Sequence, residues 1–365
     1  MRFIAGLFAA LLILSLPASA RDFTFGADLS FSNEMDDCGA VFRDNGKPAD
    51  IYAIFKNHGA NLIRVRLWNN ATWTKYSNLA DVERSIKRAK AQGLQVLLDF
   101  HYSDDWADPA KQVVPAAWAS IKDDNALSQI LYQYTFDTLT TLNQAGLMPD
   151  IIQVGNEINS EILMPAPLST GQTTNWTRNA KLLNAAIKAV RDAGAKSSIQ
   201  PKVMLHIAQP ENVETWLAAA TAAAVTDFDV IGISYYPKWS SKTLAGLGAV
   251  INSLRRRYPN AEVMVAETAY PWTLRWADSL NNQMGQDDLM PPYRATPEGQ
   301  EQYLIDLTQR VFTNGGSGVV YWAPDWVSTS CRTRWGQGSS WENATFFDFD
   351  GNVLPGIDFM RHQYN

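Results

Sequence analysis

Cysteine and histidine are scarce in this 365-residue sequence, which contains two cysteines and four histidines. So few cysteines exclude a small disulfide-rich scaffold. His101 and His206 have no third ligand at the spacing of a metal site, so we predict no metal, and we predict no cofactor. Positive charge is not in excess either, because the net charge is −6. This balance argues against nucleic acid or an acidic polymer as partner.

Long hydrophobic runs are absent beyond the N-terminus, so no later stretch is apolar enough to cross a membrane. The N-terminus combines Arg2, an apolar run over residues 3–16 and the small residues Ala18-Ser19-Ala20. This pattern predicts a signal peptide over residues 1–20, cleaved before Arg21. A transmembrane anchor is the alternative, but the run is short for one. We therefore expect a secreted or periplasmic protein that makes no membrane contact after cleavage.

The rest of the chain, residues 21–365, alternates between predicted strands and helices, and 46% of all residues are hydrophobic. Strands are predicted over 25–29, 62–67, 95–101, 151–157, 203–207, 230–236, 262–268 and 318–323. Helices are predicted over 49–58, 80–92, 123–145, 175–193, 211–223, 244–258, 297–313 and 355–363. Such alternation implies a parallel sheet with helices outside it. We predict an α/β fold, a single (β/α)8 TIM barrel without a second domain, and we expect a monomer.

Two of the predicted strands end on a glutamate. The fourth strand leads into Gly155-Asn156-Glu157, and the seventh ends at Glu267. In a closed parallel barrel both carboxylates lie at the same end, where the active sites of such barrels are found. Either glutamate alone could simply anchor a loop, but a facing pair suits cleavage of a glycosidic bond. We predict that Glu157 and Glu267 are the catalytic residues.

Other polar and aromatic residues collect at the same ends of the predicted strands. Arg64 and Arg66 are two residues apart and therefore share a face of their strand. An arginine beside a nucleophilic carboxylate would keep it ionised, although these arginines could equally bridge structural carboxylates. We predict substrate-binding roles for Asp28, Arg64, Arg66, His101, Asn156, His206, Ser234, Tyr236, Trp322 and Trp326.

The two cysteines belong to loops that the barrel would bring together. Cys38 follows the first predicted strand and Cys331 follows the eighth. These strands are neighbours where the barrel closes, so we predict a disulfide, with two free thiols as the alternative. Export permits such a bridge. Because it closes a very long loop, it would contribute roughly 4–5 kcal/mol in the chain-entropy treatment.

Motifs along nearly all of residues 21–365 resemble those of glycoside hydrolase family 53, the endo-β-1,4-galactanases. They are G-A-D-L-S at 26–30, R-V-R-L-W at 64–68, D-F-H-Y-S-D-D-W-A-D-P at 99–109, G-N-E-I at 155–158, S-Y-Y-P at 234–237, A-E-T at 266–268 and Y-W-A-P-D-W at 321–326. The segment 104–109 and the S-Y-Y-P motif are specific to that family. The Asn-Glu pair alone would indicate only the wider group of retaining (β/α)8 glycosidases.

The resemblance implies a retaining endo-hydrolase whose partner is a polysaccharide, the β-1,4-galactan side chains of pectin. It implies Glu157 as general acid/base and Glu267 as nucleophile. Asn156 would bond the 2-hydroxyl of the sugar, and Trp322 would form the floor beneath the attacked sugar. Some bacterial members bind calcium in the loops after strands seven and eight. Residues 268–292 contain only one acidic pair, Asp287-Asp288, so we expect no calcium.

Two other readings remain open. The chain could be another endo-hydrolase of β-1,4-linked polysaccharides, such as a mannanase or a cellulase. It could also be a non-catalytic carbohydrate-binding barrel, which would be expected to have lost at least one of the two strand-end glutamates. Both glutamates are present.

Overall fold

A computed structural model describes residues 23–169 and 173–365 of the chain. Eight parallel strands close into a barrel in which each strand pairs with the next and the last pairs with the first. The predicted (β/α)8 barrel is therefore confirmed. The barrel strands are β1 Thr24–Asp28, β2 Leu62–Leu67, β3 Gln95–Phe100, β4 Ile151–Val154, β5 Lys202–Ala208, β6 Val230–Ser234, β7 Glu262–Glu267 and β8 Gly318–Tyr321.

Helices follow the strands and cover the outside of the barrel. They are α1 Ser32–Asp37, α2 Ile51–Asn57, α3 Leu79–Ala91, α4 Asp124–Gln144, α5 Trp176–Gly194, α6 Pro210–Ala222, α7 Leu244–Arg257 and α8 Pro297–Thr313. The predicted start of α8 is confirmed, since the Thr296 side chain accepts a hydrogen bond from the Gly299 amide and Pro297 opens the helix. Such N-caps satisfy amides that have no partner within the helix.

Three details differ from the prediction. The short helix α1 was not expected. The last predicted helix is a 3₁₀ helix, Pro355–Arg361. β4 ends at Val154 rather than at residue 157. The predicted signal peptide, residues 1–20, lies outside the described residues.

The interior of the barrel changes from apolar to polar along each strand. Side chains alternate between the two faces of a strand, so every second residue points inward. In β2 the inward series runs from Leu62 to Arg64 and Arg66, and in β5 it runs from Met204 to His206. The inward apolar residues form one fully or nearly fully buried cluster, which consists of Leu62, Leu97, Ile151, Met204, Val230, Met264, Ala266 and Val320. This cluster seals one end of the barrel, so the polar residues face the other end.

The two cysteines form a disulfide, as predicted, with Cα atoms 5.7 Å apart. Cys38 directly follows α1 in the loop after β1, and Cys331 lies in the loop after β8. The bridge therefore spans the place where the barrel closes. Directly after Cys331 the chain forms a small hairpin, in which Arg332–Thr333 pairs with Gly336–Gln337.

Candidate active site

The carboxyl ends of the barrel strands surround a cleft of about 1030 Å³. Both predicted catalytic residues, Glu157 and Glu267, line it. So do eight of the ten predicted substrate-binding residues: Asp28, Arg64, Arg66, His101, Asn156, Tyr236, Trp322 and Trp326. The structure therefore brings together residues that the sequence spreads over 299 positions, from 28 to 326.

Glu157 reaches the cleft through a sharp turn at the end of β4. Gly155 has φ 83° and Glu157 has φ 45°, so the chain leaves the extended conformation directly after Val154. A side chain at Gly155 would be strained at this φ, and its Cβ would lie 2.5 Å from Ile158 Cγ2. The Glu157 side chain is half-buried, and its Oε1 accepts a hydrogen bond of 2.7 Å from Ser234 Oγ.

Glu267 enters the same cleft because β7 contains a bulge. β6 and β7 pair residue for residue up to Ile233 and Val265, but Ser234 then pairs with Glu267, so one residue of β7 is extra. A bulge of this kind re-aims the following side chain. Glu267 is 6% exposed. Its Oε1 lies 2.8 Å from Arg64 Nη2, and its Oε2 accepts a 2.9 Å hydrogen bond from the Tyr236 hydroxyl.

Arg64 is the centre of a buried polar network beneath the two glutamates. Its Nη1 donates to Asp28 Oδ2 at 2.6 Å, and its Nη2 donates to Asp99 Oδ2 and Asn156 Oδ1, both at 2.8 Å. Its Nε donates to Gln153 Oε1 at 3.1 Å. Although burial opposes it, the charge of Arg64 holds the pKa of Asp99 below its ordinary value. The guanidinium therefore remains paired with carboxylates on several strands at once.

His206 and Ser234 lie behind Glu157 rather than in the cleft. Both are fully buried, and His206 Nε2 is 2.8 Å from Ser234 Oγ. Burial and the nearby charge of Arg64 hold the pKa of His206 well below its ordinary value, so the ring is neutral. Its Nδ1 lies 3.0 Å from both the Gln153 amide nitrogen and Asn156 Oδ1, and it lies 3.4 Å from the Glu157 amide. The ring therefore connects the polar groups at the end of β4 to Ser234, whose hydroxyl donates to Glu157.

The ring nitrogens of both predicted substrate-binding histidines bond to protein groups in this structure. Both ring nitrogens of His206 bond to protein groups, as described above. His101 lines the cleft, but its Nε2 bonds to Asp99 at 3.0 Å and its Nδ1 accepts from Trp68 Nε1 at 3.3 Å. Sequence alone shows that a histidine lies near the end of the strand. It does not show which neighbouring groups form hydrogen bonds with the ring nitrogens.

The two glutamates differ in electrostatic environment. Burial raises the pKa of Glu157, and the nearby charge of Glu267 raises it further. Burial also raises the pKa of Glu267, but Arg64 and the hydrogen bond from Tyr236 oppose this. Arg64 and Tyr236 therefore lower the pKa of Glu267, as predicted, but burial raises it by more. Both pKa values are therefore raised, but only Glu267 contacts a cation, so its charged form is the better stabilised of the two.

Arg66 is held by aromatic rings. Its guanidinium carbon lies 4.2 Å from the ring centroid of Phe31, 4.4 Å from that of Trp106 and 4.7 Å from that of Trp68. Its Nε donates to Ser77 Oγ at 3.0 Å. Arg66 therefore forms part of an aromatic wall with a positive charge embedded in it.

Trp322 and Trp326 continue this wall. Trp322 is half-buried and meets Trp341 edge to face, with ring centroids 4.7 Å apart. Trp326 is 5% exposed and stacks on Phe31 at 4.2 Å, so one of its faces is already covered. Flat apolar rings of this kind suit the apolar faces of a sugar ring.

Within residues 23–169 and 173–365, no three His, Cys, Asp or Glu side chains converge into a group that could hold a metal ion. No helix in the same two segments has the length and hydropathy needed to span a bilayer.

Comparison with known proteins identifies the family. The model of glycosyl hydrolase family 53 matches residues 24–360. The chain belongs to this family. It is 52% identical to an arabinogalactan endo-β-1,4-galactanase of Cellvibrio japonicus, over 95% of this chain and 93% of that protein. It is 32% identical to an endo-β-1,4-galactanase of Bacillus subtilis, over 94% of this chain and 86% of that protein. The family 53 catalytic domain of Ignisphaera aggregans superposes with a TM-score of 0.86 at 34% identity, covering 94% of this chain and 97% of that domain.

Some residues of this family 53 glycosidase that shape the site were not predicted. Gln153 bonds both Arg64 and the His206 ring, and a polar residue between Ile152 and Val154 in a buried strand was the available signal. Gln112 is also buried, and its Nε2 donates to the Asn156 carbonyl at 2.7 Å, which supports the turn that carries the catalytic pair. It lies in a long loop, and no sequence pattern marks it.

Proposed function

We propose that this family 53 enzyme is an endo-β-1,4-galactanase that acts on the galactan side chains of pectin with retention of anomeric configuration. In this proposal Glu157 is the general acid/base and Glu267 is the nucleophile. The observation that carries it is the contrast between the two carboxyls: Glu267 contacts the charged Arg64, whereas Glu157 contacts the neutral hydroxyl of Ser234. The substrate rests on the galactanases of Cellvibrio japonicus and Bacillus subtilis to which the chain is similar.

The first step requires opposite protonation states. Glu157 donates a proton to the glycosidic oxygen while Glu267 attacks the anomeric carbon, so the bond from that carbon to the leaving oxygen breaks as the bond to Glu267 forms. Arg64 and Tyr236 support the ionised form of Glu267, and burial supports the protonated form of Glu157. The product of this step is a covalent glycosyl-enzyme and a shortened chain.

The second step reverses the role of Glu157. Once Glu267 is esterified it carries no negative charge, so the repulsion that raised the pKa of Glu157 disappears. Glu157 then takes a proton from water, which attacks the anomeric carbon and releases Glu267. The Ser234 hydroxyl stabilises the ionised form of Glu157 at this stage.

Two further residues have assigned roles in the proposal. Asn156 Nδ2 donates to the Ala107 carbonyl at 2.9 Å, and its second N–H would bond the 2-hydroxyl of the attacked sugar. Trp322, half-buried at the end of β8, would stack beneath the same sugar. Arg64 fixes the orientation of Asn156 through Oδ1, so the 2-hydroxyl contact depends on the same network as the nucleophile.

We further propose that the enzyme is secreted or periplasmic and acts as a monomer. Residues 1–20 have the composition of a cleavable signal peptide, and residues 21–365 would form the mature catalytic domain. The disulfide between Cys38 and Cys331 is consistent with an oxidising compartment.

The test is the release of reducing ends from debranched galactan by wild type, by Glu267→Ala and by Glu262→Gln. Glu262 starts the same strand that Glu267 ends, and it forms an exposed ion pair with Lys202 at 2.7 Å. Wild type and Glu262→Gln should cleave galactan, whereas Glu267→Ala should lose nearly all activity. Because a retaining enzyme gives the β-anomer first, proton NMR of the initial product tests the stereochemistry.

A panel of mannan, cellulose and xylan run beside galactan tests the substrate. Cleavage of one of these in place of galactan would overturn the galactanase proposal while leaving both glutamates as catalytic residues. Full activity of Glu267→Ala on any of them would overturn the assignment of the nucleophile.

A further inference from the structure

The loops after β5 and β6 form the side of the cleft next to Glu157. Gln209, Asn212 and Trp239 line the cleft there. This side is distinct from the aromatic wall of Arg66, Trp322 and Trp326, which comes from β2, β8 and the loop after it.

Gln209 has an uncommon backbone conformation. Its φ is 66°, a value that residues other than glycine, asparagine and aspartate seldom adopt. It stands at the N-cap of α6, but its side chain makes no capping hydrogen bond. Its amide donates to the Ser234 carbonyl at 3.0 Å, so the strained residue is tied to the strand that supports Glu157. Strain of this kind is concentrated at functional sites.

The Gln209 carboxamide is also incompletely bonded. Among the described residues no donor reaches its Oε1, although this atom is buried. Buried polar atoms without a partner are uncommon in native proteins. The neighbouring amides are engaged differently, since Asn159 Oδ1 and Nδ2 bond the Ala208 backbone at 2.7 and 2.8 Å. Asn159 therefore fixes the loop, whereas the Gln209 carboxamide lines the cleft and has no protein partner for its Oε1.

Trp239 supplies an apolar surface on the same side. It is 45% exposed, and it meets Tyr236 edge to face with ring centroids 5.1 Å apart. An exposed indole beside an unsatisfied amide is the combination that binds a sugar ring, because the ring offers an apolar face and hydroxyl donors together.

We propose that Gln209 and Trp239 form the subsite that binds the leaving-group sugar, with the Gln209 carboxamide hydrogen-bonding one of its hydroxyls. This rests on the proposed function, in which Glu157 protonates the glycosidic oxygen. That oxygen must lie within hydrogen-bonding reach of Glu157. Because Trp322, which follows β8, would hold the attacked sugar, the departing sugar would extend on the Glu157 side, over the loops after β5 and β6. Both residues determine how well a sugar leaving group or acceptor binds.

The test compares substrates that differ only in leaving group. For Gln209→Gly we expect kcat/KM on β-1,4-galactotetraose to fall roughly three- to tenfold, the loss of one neutral hydrogen bond. Hydrolysis of an aryl β-galactobioside, whose leaving group is not a sugar, should lose much less. Transfer of galactosyl units to added galactobiose should fall with the tetraose activity. Trp239→Ala should show the same selective loss.

Glycine adopts the positive φ of position 209 without strain, so this variant removes the amide while retaining the backbone. Ala224→Gly is the matched control, because Ala224 also has φ 66° and follows α6 at the end away from the cleft. It should leave both activities unchanged. Equal losses on the two substrates would overturn the proposal, since they would mean that Gln209 only supports Glu157 through Ser234. An unchanged tetraose activity would also overturn it.

Failure of the galactanase proposal itself gives a different result. In that case wild type would not cleave galactotetraose at all but would cleave oligosaccharides of another polymer from the panel. The Gln209→Gly variant is then compared with wild type on those oligosaccharides and on the matching aryl glycoside. This comparison tests whether Gln209 binds the leaving-group sugar, whichever sugar the enzyme cleaves.

Discussion

Replacing Ser234 by alanine should shift one limb of the pH–activity profile and leave the other in place. The Ser234 hydroxyl donates to Glu157 at 2.7 Å and thereby lowers the pKa of that carboxyl. Without the hydroxyl, the pKa of Glu157 rises further. Glu157 must be protonated to act as the acid, so the alkaline limb of kcat/KM should move to higher pH.

The size of this shift follows from one charge-assisted hydrogen bond. Such a bond contributes about 1.5–3 kcal/mol, and one pKa unit corresponds to about 1.4 kcal/mol. The hydroxyl also bonds the protonated carboxyl, so only the difference between the two forms counts. The lower end of the range is therefore appropriate, and we expect a shift of about one pH unit.

Tyr236→Phe is the counterpart on the other glutamate. The Tyr236 hydroxyl donates to Glu267 at 2.9 Å and lowers the pKa of that carboxyl. Its removal raises the pKa of Glu267, which must be ionised to attack, so the acidic limb should move to higher pH. One variant thus widens the active range and the other narrows it. The assay is kcat/KM for a soluble galacto-oligosaccharide from pH 4 to 10, with thermal melts to confirm folding. If Ser234→Ala moved the acidic limb instead, the roles of the two glutamates would be assigned wrongly.

Two further predictions concern stability. Asp325 is fully buried, and no donor from the described residues reaches either carboxylate oxygen, so burial holds its pKa well above the ordinary value. The folded state then keeps a proton that the unfolded state loses above about pH 4. Asp325 therefore lowers the free energy of unfolding progressively as the pH rises above about 4. Asp325→Asn should therefore gain melting temperature relative to wild type with increasing pH between 4 and 8, and parallel pH curves for the two proteins would contradict this. Replacing Cys38 and Cys331 by serine should lower the free energy of unfolding by about 5 kcal/mol in denaturant titrations, because the bridge closes a loop of 293 residues. A loss below about 1 kcal/mol would show that the bridge does not restrict the unfolded chain.

The barrel and the location of Glu157 and Glu267 in its cleft could be predicted from sequence because they depend on periodicity and on order along the chain. Glu157 and Glu267 follow the fourth and seventh apolar strands, and parallel strands place both at one end of the barrel. The direction of Glu267 could not be predicted. Counting alternate residues inward from Met264 and Ala266 would turn residue 267 away from the cleft, and only the bulge opposite Ser234 brings it in.

The roles of the remaining polar residues depended on distances that sequence does not contain. His206 and Ser234 lie near the carboxyl ends of their strands, so we predicted that they line the cleft, yet both are buried, Ser234 bonds Glu157 and His206 bonds Ser234. Gln209 carries no motif, and its positive φ follows from the path between β5 and α6. The last predicted helix forms as a 3₁₀ helix over Pro355–Arg361, and its apolar spacing in the sequence does not distinguish the two helix types.

The disulfide gives the folded chain the topology of a closed ring with two short tails. Cys38 and Cys331 enclose most of the barrel between them, including both glutamates. A single proteolytic cut in any loop between residues 38 and 331 therefore leaves two pieces that remain covalently joined. A nicked molecule would keep both halves of its active site tethered and would migrate as one species on a gel until a reductant is added. The bridge thus allows the protein to lose one peptide bond without losing a fragment.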